Sequence, residues 1–183
     1  KGAKEAGADA IGIHITSLEN YMVPHYGNGT GKVSAGKEHL KIYEYLKQIN
    51  LSYEDWLIFR EEALKHKMAL CVMPNDLQSV AFCAENLNPT YYVISAASFI
   101  EPMLIETIAK QNKSTFFRIG GATLAEIENT LALFKKYSDA QIILLHGFQN
   151  YPTPLEDTNI RQLQTLKALF GVSVGLADHI DGS

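Results

Sequence analysis

The sequence predicts an α/β protein with a parallel β-sheet, and two observations support this prediction. Short apolar runs rich in Val, Ile, Leu and aromatic residues recur along the chain, as in strands that are buried on both faces. Segments with a one-sided apolar stripe, typical of helices, separate these runs. The six predicted strands cover residues 8–15, 68–73, 91–95, 114–118, 141–145 and 173–176.

The predicted helices carry their own start and stop signals. Thr123 and Glu126 have the spacing of a capping box, and Pro102 suits the first turn of a helix. The remaining signals predict helices over 53–67 after Ser52, from Asp76 to about 86, and over 158–170 between Asp157 and Gly171. Strands that alternate with helices favour a parallel sheet with helices outside it. A doubly wound sheet and a (β/α)₈ barrel both fit this alternation.

Composition limits the classes of function. The chain has 183 residues, 46% of them hydrophobic, and a net charge of −4, which suits one domain over residues 1–183. It has no basic stripe for nucleic acid, no apolar run of roughly 20 residues for a membrane span and no secretory signal. Cys71 and Cys83 match no zinc motif and predict buried thiols in a reducing cytosol. We therefore expect a cytoplasmic protein with no nucleic-acid or membrane partner.

Polar side chains with the capacity to bind ligands follow the last two predicted strands. One group covers residues 146–154 and includes the sequence Tyr-Pro-Thr-Pro, and the other covers residues 175–179 and ends in Asp-His. The carboxyl ends of parallel strands are where α/β proteins bind ligands. A third candidate region is the long connection over 16–51, where His25, Tyr26 and Asn28 either close over a ligand or lie at the surface.

These motifs resemble the N-acetylneuraminate (sialic acid) synthase family over nearly the whole chain. The segments that carry the resemblance are residues 3–10, 121–127, 144–146, 150–154 and 174–179. The resemblance implies an incomplete (β/α)₈ TIM barrel with about strands 2–7 present, so that 1–183 is a single partial domain. A barrel cut in this way exposes strand edges, and we expect these 183 residues alone to be poorly soluble.

The resemblance also implies an activity. Enzymes of this family condense phosphoenolpyruvate with an N-acylated amino sugar aldehyde and release phosphate, with a divalent Mn²⁺ or Mg²⁺ that polarises the aldehyde oxygen. They pair into homodimers. The resemblance places the catalytic glutamate upstream of this chain and a second metal histidine beyond it.

Carried over by position, several side chains have an expected role. His179 matches a metal ligand, and Ser95 matches a serine that contacts phosphate. Gln149 and Tyr151 stand where the family contacts the sugar. Without the resemblance, His179 would be read as a loop or core histidine, and the turn around Tyr151 as a rigid stop to a strand.

The chain departs from the family pattern at positions that would hold phosphoenolpyruvate. The family's lysine and glutamine after its second strand are Gly12 and His14, another lysine is Tyr92, and further family residues are replaced at Met73, Arg118 and Ala177. Arg118 stands at a family serine. We expect Arg118 and His14 to bind substrate in place of the lost groups, while the alternative is that Arg118 forms an ion pair with Glu101.

Two alternative functions follow from these departures. One is a related enzyme that uses a less anionic donor, and the other is a non-catalytic barrel that binds a sugar. Two further residues receive structural predictions: His146 is expected to be a hydrogen-bonded inner-layer residue that supports the site, and Gly120 part of a tight turn rather than a phosphate cradle.

Overall fold

The fold is one sheet of six parallel strands that pair in the order of the sequence. The structure is a computed structural model, and it describes residues 1–24 and 41–180. The strands are β1 (Ala10–Ile15), β2 (Ala69–Pro74), β3 (Tyr91–Ile94), β4 (Thr115–Arg118), β5 (Ile142–His146) and β6 (Ser173–Leu176). In a doubly wound sheet, the order in which the strands are added reverses partway across the sheet. The uninterrupted order is that of a barrel wall, and the predicted incomplete barrel is confirmed, since β1 and β6 are not paired with each other.

Helices connect the strands, as the alternation predicts. They are α1 (Gly2–Glu5), α2 (Leu18–Tyr21), α3 (Ile42–Ile49), α4 (Tyr53–Lys65), α5 (Leu77–Phe82), α6 (Pro102–Ala109), α7 (Leu124–Lys135) and α8 (Gln162–Phe170). A π-helical turn, Cys83–Leu87, continues α5, and a 3₁₀ turn, Leu155–Asp157, precedes α8. The candidate residues His25, Tyr26 and Asn28 lie outside the described residues. In the part of the chain that the structure describes, no helix has the length and apolarity needed to cross a bilayer.

Alternate strand residues pack beneath the helices and form the core. Phe117 of β4 is fully buried, and its ring meets those of Phe99 and Phe134 edge to face at centroid distances of 6.2 and 5.2 Å. Because side chains alternate along a strand, the neighbours of these core residues face the opposite side of the sheet. Arg118 of β4 and His14 of β1 therefore both face the side that would be the barrel interior.

Local signals decide most helix ends. Thr123 and Glu126 form the predicted capping box, Pro102 opens α6, and Gly171 ends α8 in the left-handed conformation at φ +63°. The predicted start of α8 after Asp157 is wrong. The carbonyl of Thr158, which a helix starting there would use internally, instead accepts a hydrogen bond from His146 at 2.9 Å. The helix begins only at Gln162, and Ile160, which would otherwise face the core, is exposed.

The predicted burial of the two thiols holds in part. Cys83 is buried and Cys71 is half-buried on the inner face of β2, and both are free. Burial raises the pKa of Cys71 to about 11 and that of Cys83 to about 12. Both thiols are therefore protonated at neutral pH, which is typical of structural cysteines.

Asp76 joins the carboxyl ends of the first two strands. Its carboxylate caps α5 by accepting the amide of Ser79 at 2.8 Å and the hydroxyl of Ser79 at 2.7 Å, and it also accepts the amide of Ser17 at 2.8 Å. Because Asp76 is buried, removal of its carboxylate would leave these three donors without an acceptor. This carboxylate is a structural group rather than a catalytic one.

We predict that Asp76→Ala lowers the free energy of unfolding by about 3 kcal/mol, because a helix cap is lost and buried donors are left unpaired. Urea unfolding of the protein expressed from its complete gene measures the change. Asp157→Ala is the matched control, since this exposed carboxylate precedes α8 without capping it, and we expect a change within about 0.5 kcal/mol. Equal effects of the two substitutions would contradict the assignment.

Candidate active site at the carboxyl ends of the strands

The centre of the candidate site is a contact between Arg118, the last residue of β4, and His179, which follows β6. Arg118 Nη2 lies 3.1 Å from His179 Nε2. A guanidinium is always protonated and can only donate, so Nε2 must accept. On the other side of the ring, Nδ1 lies 2.7 Å from the carbonyl oxygen of Phe148 and donates to it. The two contacts fix His179 as a neutral imidazole protonated at Nδ1.

The Tyr-Pro-Thr-Pro segment supports His179 from the loop after β5. The Tyr151 ring packs against the His179 ring at a centroid distance of 4.2 Å, and the Tyr151–Pro152 bond is cis. Thr153 is buried, its amide donates to the His179 carbonyl at 2.8 Å, and its hydroxyl donates to the Asn150 carbonyl at 2.9 Å. The segment is thus a structural turn that also places an exposed tyrosine beside the histidine.

Glycines let the loops after β4, β5 and β6 pack backbone against backbone. A Cβ on Gly120 would collide with the carbonyl oxygen of Gly147. Gly147 has φ +149°, and a Cβ there would collide with the carbonyl oxygen of Ala177. Gly121, at φ +85°, completes a turn that the Ala122 amide closes on the Ile119 carbonyl at 3.0 Å. The predicted tight turn is confirmed, and it helps to fix the distance between Arg118 and His179.

His14 and Ser95 lie at the same edge of the sheet. The pairing of Ile94 with Phe117 puts Ser95 level with Arg118, and the Ser95 hydroxyl oxygen accepts the Ser98 amide at 3.1 Å. The His14 side chain is exposed at the rim, but the protein atoms around it remove part of its solvation, which lowers its pKa, and the charge of Arg118 lowers that pKa further. His14 is therefore neutral at neutral pH and close enough to Arg118 to sense its charge.

Two residues near the site differ from their sequence-based expectations. Glu101 is exposed at the start of α6 and makes no ion pair with Arg118, so in the described part of the chain the alternative of an Arg118–Glu101 pair is wrong. His146 is buried and hydrogen-bonded as predicted, but it shares the face of the core residues Ile142 and Leu144. His146 therefore stabilises the segment before α8 from the face of the sheet that packs against the helices, and not from the barrel interior.

Gln149 and Tyr92 lie away from this contact. Gln149 is exposed in the loop after β5, and its side chain makes no hydrogen bond within residues 1–24 and 41–180. Tyr92, which replaces a family lysine, points into the helix-facing core, where its hydroxyl group has no partner among the described residues. The side chain at position 92 is therefore remote from the candidate site.

A cavity of about 480 Å³ opens at the carboxyl end of β1, and the sequence analysis missed it. The described residues that line it are His14, Thr16, Leu18, Tyr21, Met22, Ile42, Leu46, Ile49, Asn50, Trp56 and Asn75. Asn75 donates to the Thr16 hydroxyl at 2.7 Å, and Asn50 donates to the Thr16 carbonyl at 2.8 Å. Thr16 and Asn75 directly follow β1 and β2. The rule that parallel α/β proteins bind ligands at the carboxyl ends of their strands therefore applies to these two residues as well.

The described residues do not form a metal centre by themselves. Within 1–24 and 41–180, no group of three or more His, Cys, Asp or Glu side chains is arranged to hold a metal ion. His179 is the expected ligand, and the one lone pair of its neutral ring accepts the hydrogen bond from Arg118. An imidazole ligates a metal through that lone pair, so a metal could bind His179 only in place of the Arg118 contact, and the metal role of His179 stays a prediction.

Comparison with known proteins agrees with this architecture. The NeuB family model matches residues 1–183. Pseudaminic acid synthase from Campylobacter jejuni subsp. jejuni serotype O:2 is 30% identical over 184 residues, which is 100% of this chain and 53% of that protein. The chain spans about half the length of the curated relatives it matches over its full extent.

Two solved structures share the fold. The N-acetylneuraminic acid (sialic acid) synthetase from Leptospira borgpetersenii serovar Hardjo-bovis, in complex with citrate, has a TM-score of 0.82 at 24% identity, over 98% of this chain and 57% of that one. The phospho-2-dehydro-3-deoxyheptonate aldolase (DAHP synthase) from Thermotoga maritima has a TM-score of 0.61 at 17% identity. The match covers 73% of this chain and 40% of that one. These likenesses show the fold, and the family match with the relative from Campylobacter shows the membership: this chain belongs to the NeuB family.

Proposed function

We propose that the protein containing this chain is a sugar acid synthase that condenses phosphoenolpyruvate with an N-acylated amino sugar aldehyde and releases phosphate. The observation that carries the proposal is the NeuB family match over residues 1–183. The arrangement of Arg118, Tyr151 and His179 at one edge of the sheet is consistent with it, because that edge is where parallel α/β folds bind substrates. The curated relatives with assigned activities include pseudaminic acid and N,N'-diacetyllegionaminic acid synthases.

The donor would bind at Arg118. Phosphoenolpyruvate carries a carboxylate and a phosphate, and both need charged or hydrogen-bonding partners in a partly desolvated site. The guanidinium has N–H groups besides the one directed at His179, and Ser95, which directly follows β3, is level in register with Arg118. Neutral His14 adds a third donor. These groups would take the place of the family lysines that this chain lacks.

The sugar would bind in the cavity at the end of β1. Its volume of about 480 Å³ lies in the range of small-molecule sites, and its wall combines apolar side chains with the amides of Asn50 and Asn75. His14 lines the cavity and also senses Arg118, so the two substrates would meet beside this residue. The exposed side chains of Gln149 and Tyr151 would contact the sugar from the loop after β5.

The proposed reaction requires a positively charged group beside the aldehyde oxygen. Carbon 3 of phosphoenolpyruvate forms the new bond to the aldehyde carbon, whose oxygen gains negative charge and then a proton. Water adds at carbon 2, the bond from that carbon to the bridging phosphate oxygen breaks, and carbon 2 becomes a ketone whose oxygen comes from the water. Of the two protons of the water, one reaches the former aldehyde oxygen and the other leaves on the phosphate. The divalent metal, the upstream glutamate, the homodimer and the cytoplasmic location implied by the sequence stay predictions.

We predict that the protein expressed from its complete gene releases phosphate from phosphoenolpyruvate only when an N-acylated amino sugar is present. A coupled phosphate assay over a panel of such sugars, with Mn²⁺, with Mg²⁺ and with EDTA, measures this. Arg161→Gln is the control for Arg118→Gln, since Arg161 is an exposed arginine near the start of α8. Arg118→Gln should reduce kcat/KM for phosphoenolpyruvate at least 100-fold, the loss of about 3 kcal/mol of charged hydrogen bonding.

Other outcomes of that assay would contradict the proposal. Absence of phosphate release with every sugar would do so, and calorimetry would then separate the alternatives. A protein that binds phosphoenolpyruvate weakly or not at all, yet turns over another donor, is a related enzyme with a changed substrate. A protein that binds sugar without any turnover is a binding protein.

We predict that Leu46→Trp weakens sugar binding at least 10-fold without changing the affinity for phosphoenolpyruvate, because the larger ring fills the cavity. Calorimetry with the protein expressed from its complete gene measures sugar and phosphoenolpyruvate binding in the unmodified protein and in the variants. Leu169→Trp adds the same ring to the exposed face of α8 and should leave sugar binding unchanged. Equal sugar affinities in the two variants would place the sugar elsewhere.

A further inference from the structure

The Arg118–His179 contact uses the atom that a metal would need. A neutral imidazole has one ring nitrogen with a lone pair, and in His179 that atom is Nε2 because Nδ1 donates to the Phe148 carbonyl. Arg118 Nη2 donates to this lone pair at 3.1 Å. A cation could bind Nε2 only after the guanidinium had moved away.

The surroundings hold the guanidinium in that place. Arg118 is the last residue of β4 and is paired in register with Leu145 of β5. The glycine turn that follows it packs directly on the backbone of the next loop. Within residues 1–24 and 41–180, no carboxylate forms an ion pair with Arg118. A divalent cation at Nε2 would lie beside the positive charge of the guanidinium, which repels it.

We propose that Arg118 keeps divalent cations off His179, and that its guanidinium presents to a substrate oxygen the fixed positive charge that a bound metal would otherwise supply. The inference rests on the proposed function only in taking this edge of the sheet as the substrate site. A guanidinium suits the role because it stays charged and retains N–H donors for an anionic oxygen after one is used on His179. His179 is then a positioning residue, which orients the guanidinium through Nε2.

The test measures Mn²⁺ binding to the protein expressed from its complete gene, by calorimetry and by electron paramagnetic resonance of free Mn²⁺. We expect the unmodified protein to bind Mn²⁺ at this site with a Kd weaker than about 1 mM. Arg118→Ser, which restores the residue that the resemblance places here, should strengthen binding at least 10-fold. Adding His179→Ala to that variant should abolish the gain, and Arg161→Ser is the control that removes an exposed arginine without effect.

A second measurement needs no substitution and therefore does not depend on how a variant folds. In the ¹⁵N spectrum of the histidine rings, His179 should show the neutral tautomer protonated at Nδ1, and substoichiometric Mn²⁺ should not broaden its signals selectively. Selective broadening of His179, or tight Mn²⁺ binding that Arg118→Ser leaves unchanged or weakens, would overturn the inference. Neither readout depends on turnover, so the inference and the proposed function fail independently.

Discussion

Parallel pairing of the six strands in sequence order is the constraint on which the site depends. It brings the carboxyl ends of β1, β3, β4 and β6 to one edge of the sheet, although their residues are far apart in the chain. Arg118 and His179, for example, are 61 positions apart and meet at 3.1 Å. Alternation of side chains along each strand then separates the roles, because core residues face the helices and their neighbours face the candidate site.

The candidate site places one positive charge beside neutral histidine side chains. Its one guanidinium, Arg118, has neutral imidazoles as its neighbours: His179 accepts a hydrogen bond from it, and the pKa of His14 is lowered by burial and by the charge of Arg118. The buried carboxylate of Asp76, at the ends of β1 and β2, accepts hydrogen bonds from the amide of Ser17 and from the amide and hydroxyl of Ser79. The Arg118 guanidinium therefore offers positive charge to an anionic substrate at this edge of the sheet.

The sequence predicted the strands and most helix ends because those depend on local signals, such as the capping box at Thr123 and the left-handed Gly171. It placed His179 and Tyr151 near one another through the rule on strand ends. It did not predict the partner of Arg118, the outward direction of Tyr92 or the late start of α8. These depend on register and on long-range hydrogen bonds, such as that from His146 to Thr158, which leave no periodic pattern in the chain.

A crystal structure of the protein from its complete gene with phosphoenolpyruvate, grown in the presence of Mn²⁺, tests the central claim most directly. The account predicts density for the donor at the carboxyl ends of the strands, with its anionic oxygens on Arg118. It also predicts that Arg118 remains hydrogen-bonded to His179 Nε2 and that no anomalous manganese signal lies at that nitrogen. Manganese bound to His179 with Arg118 turned away, or a donor bound at another edge of the sheet, would contradict it.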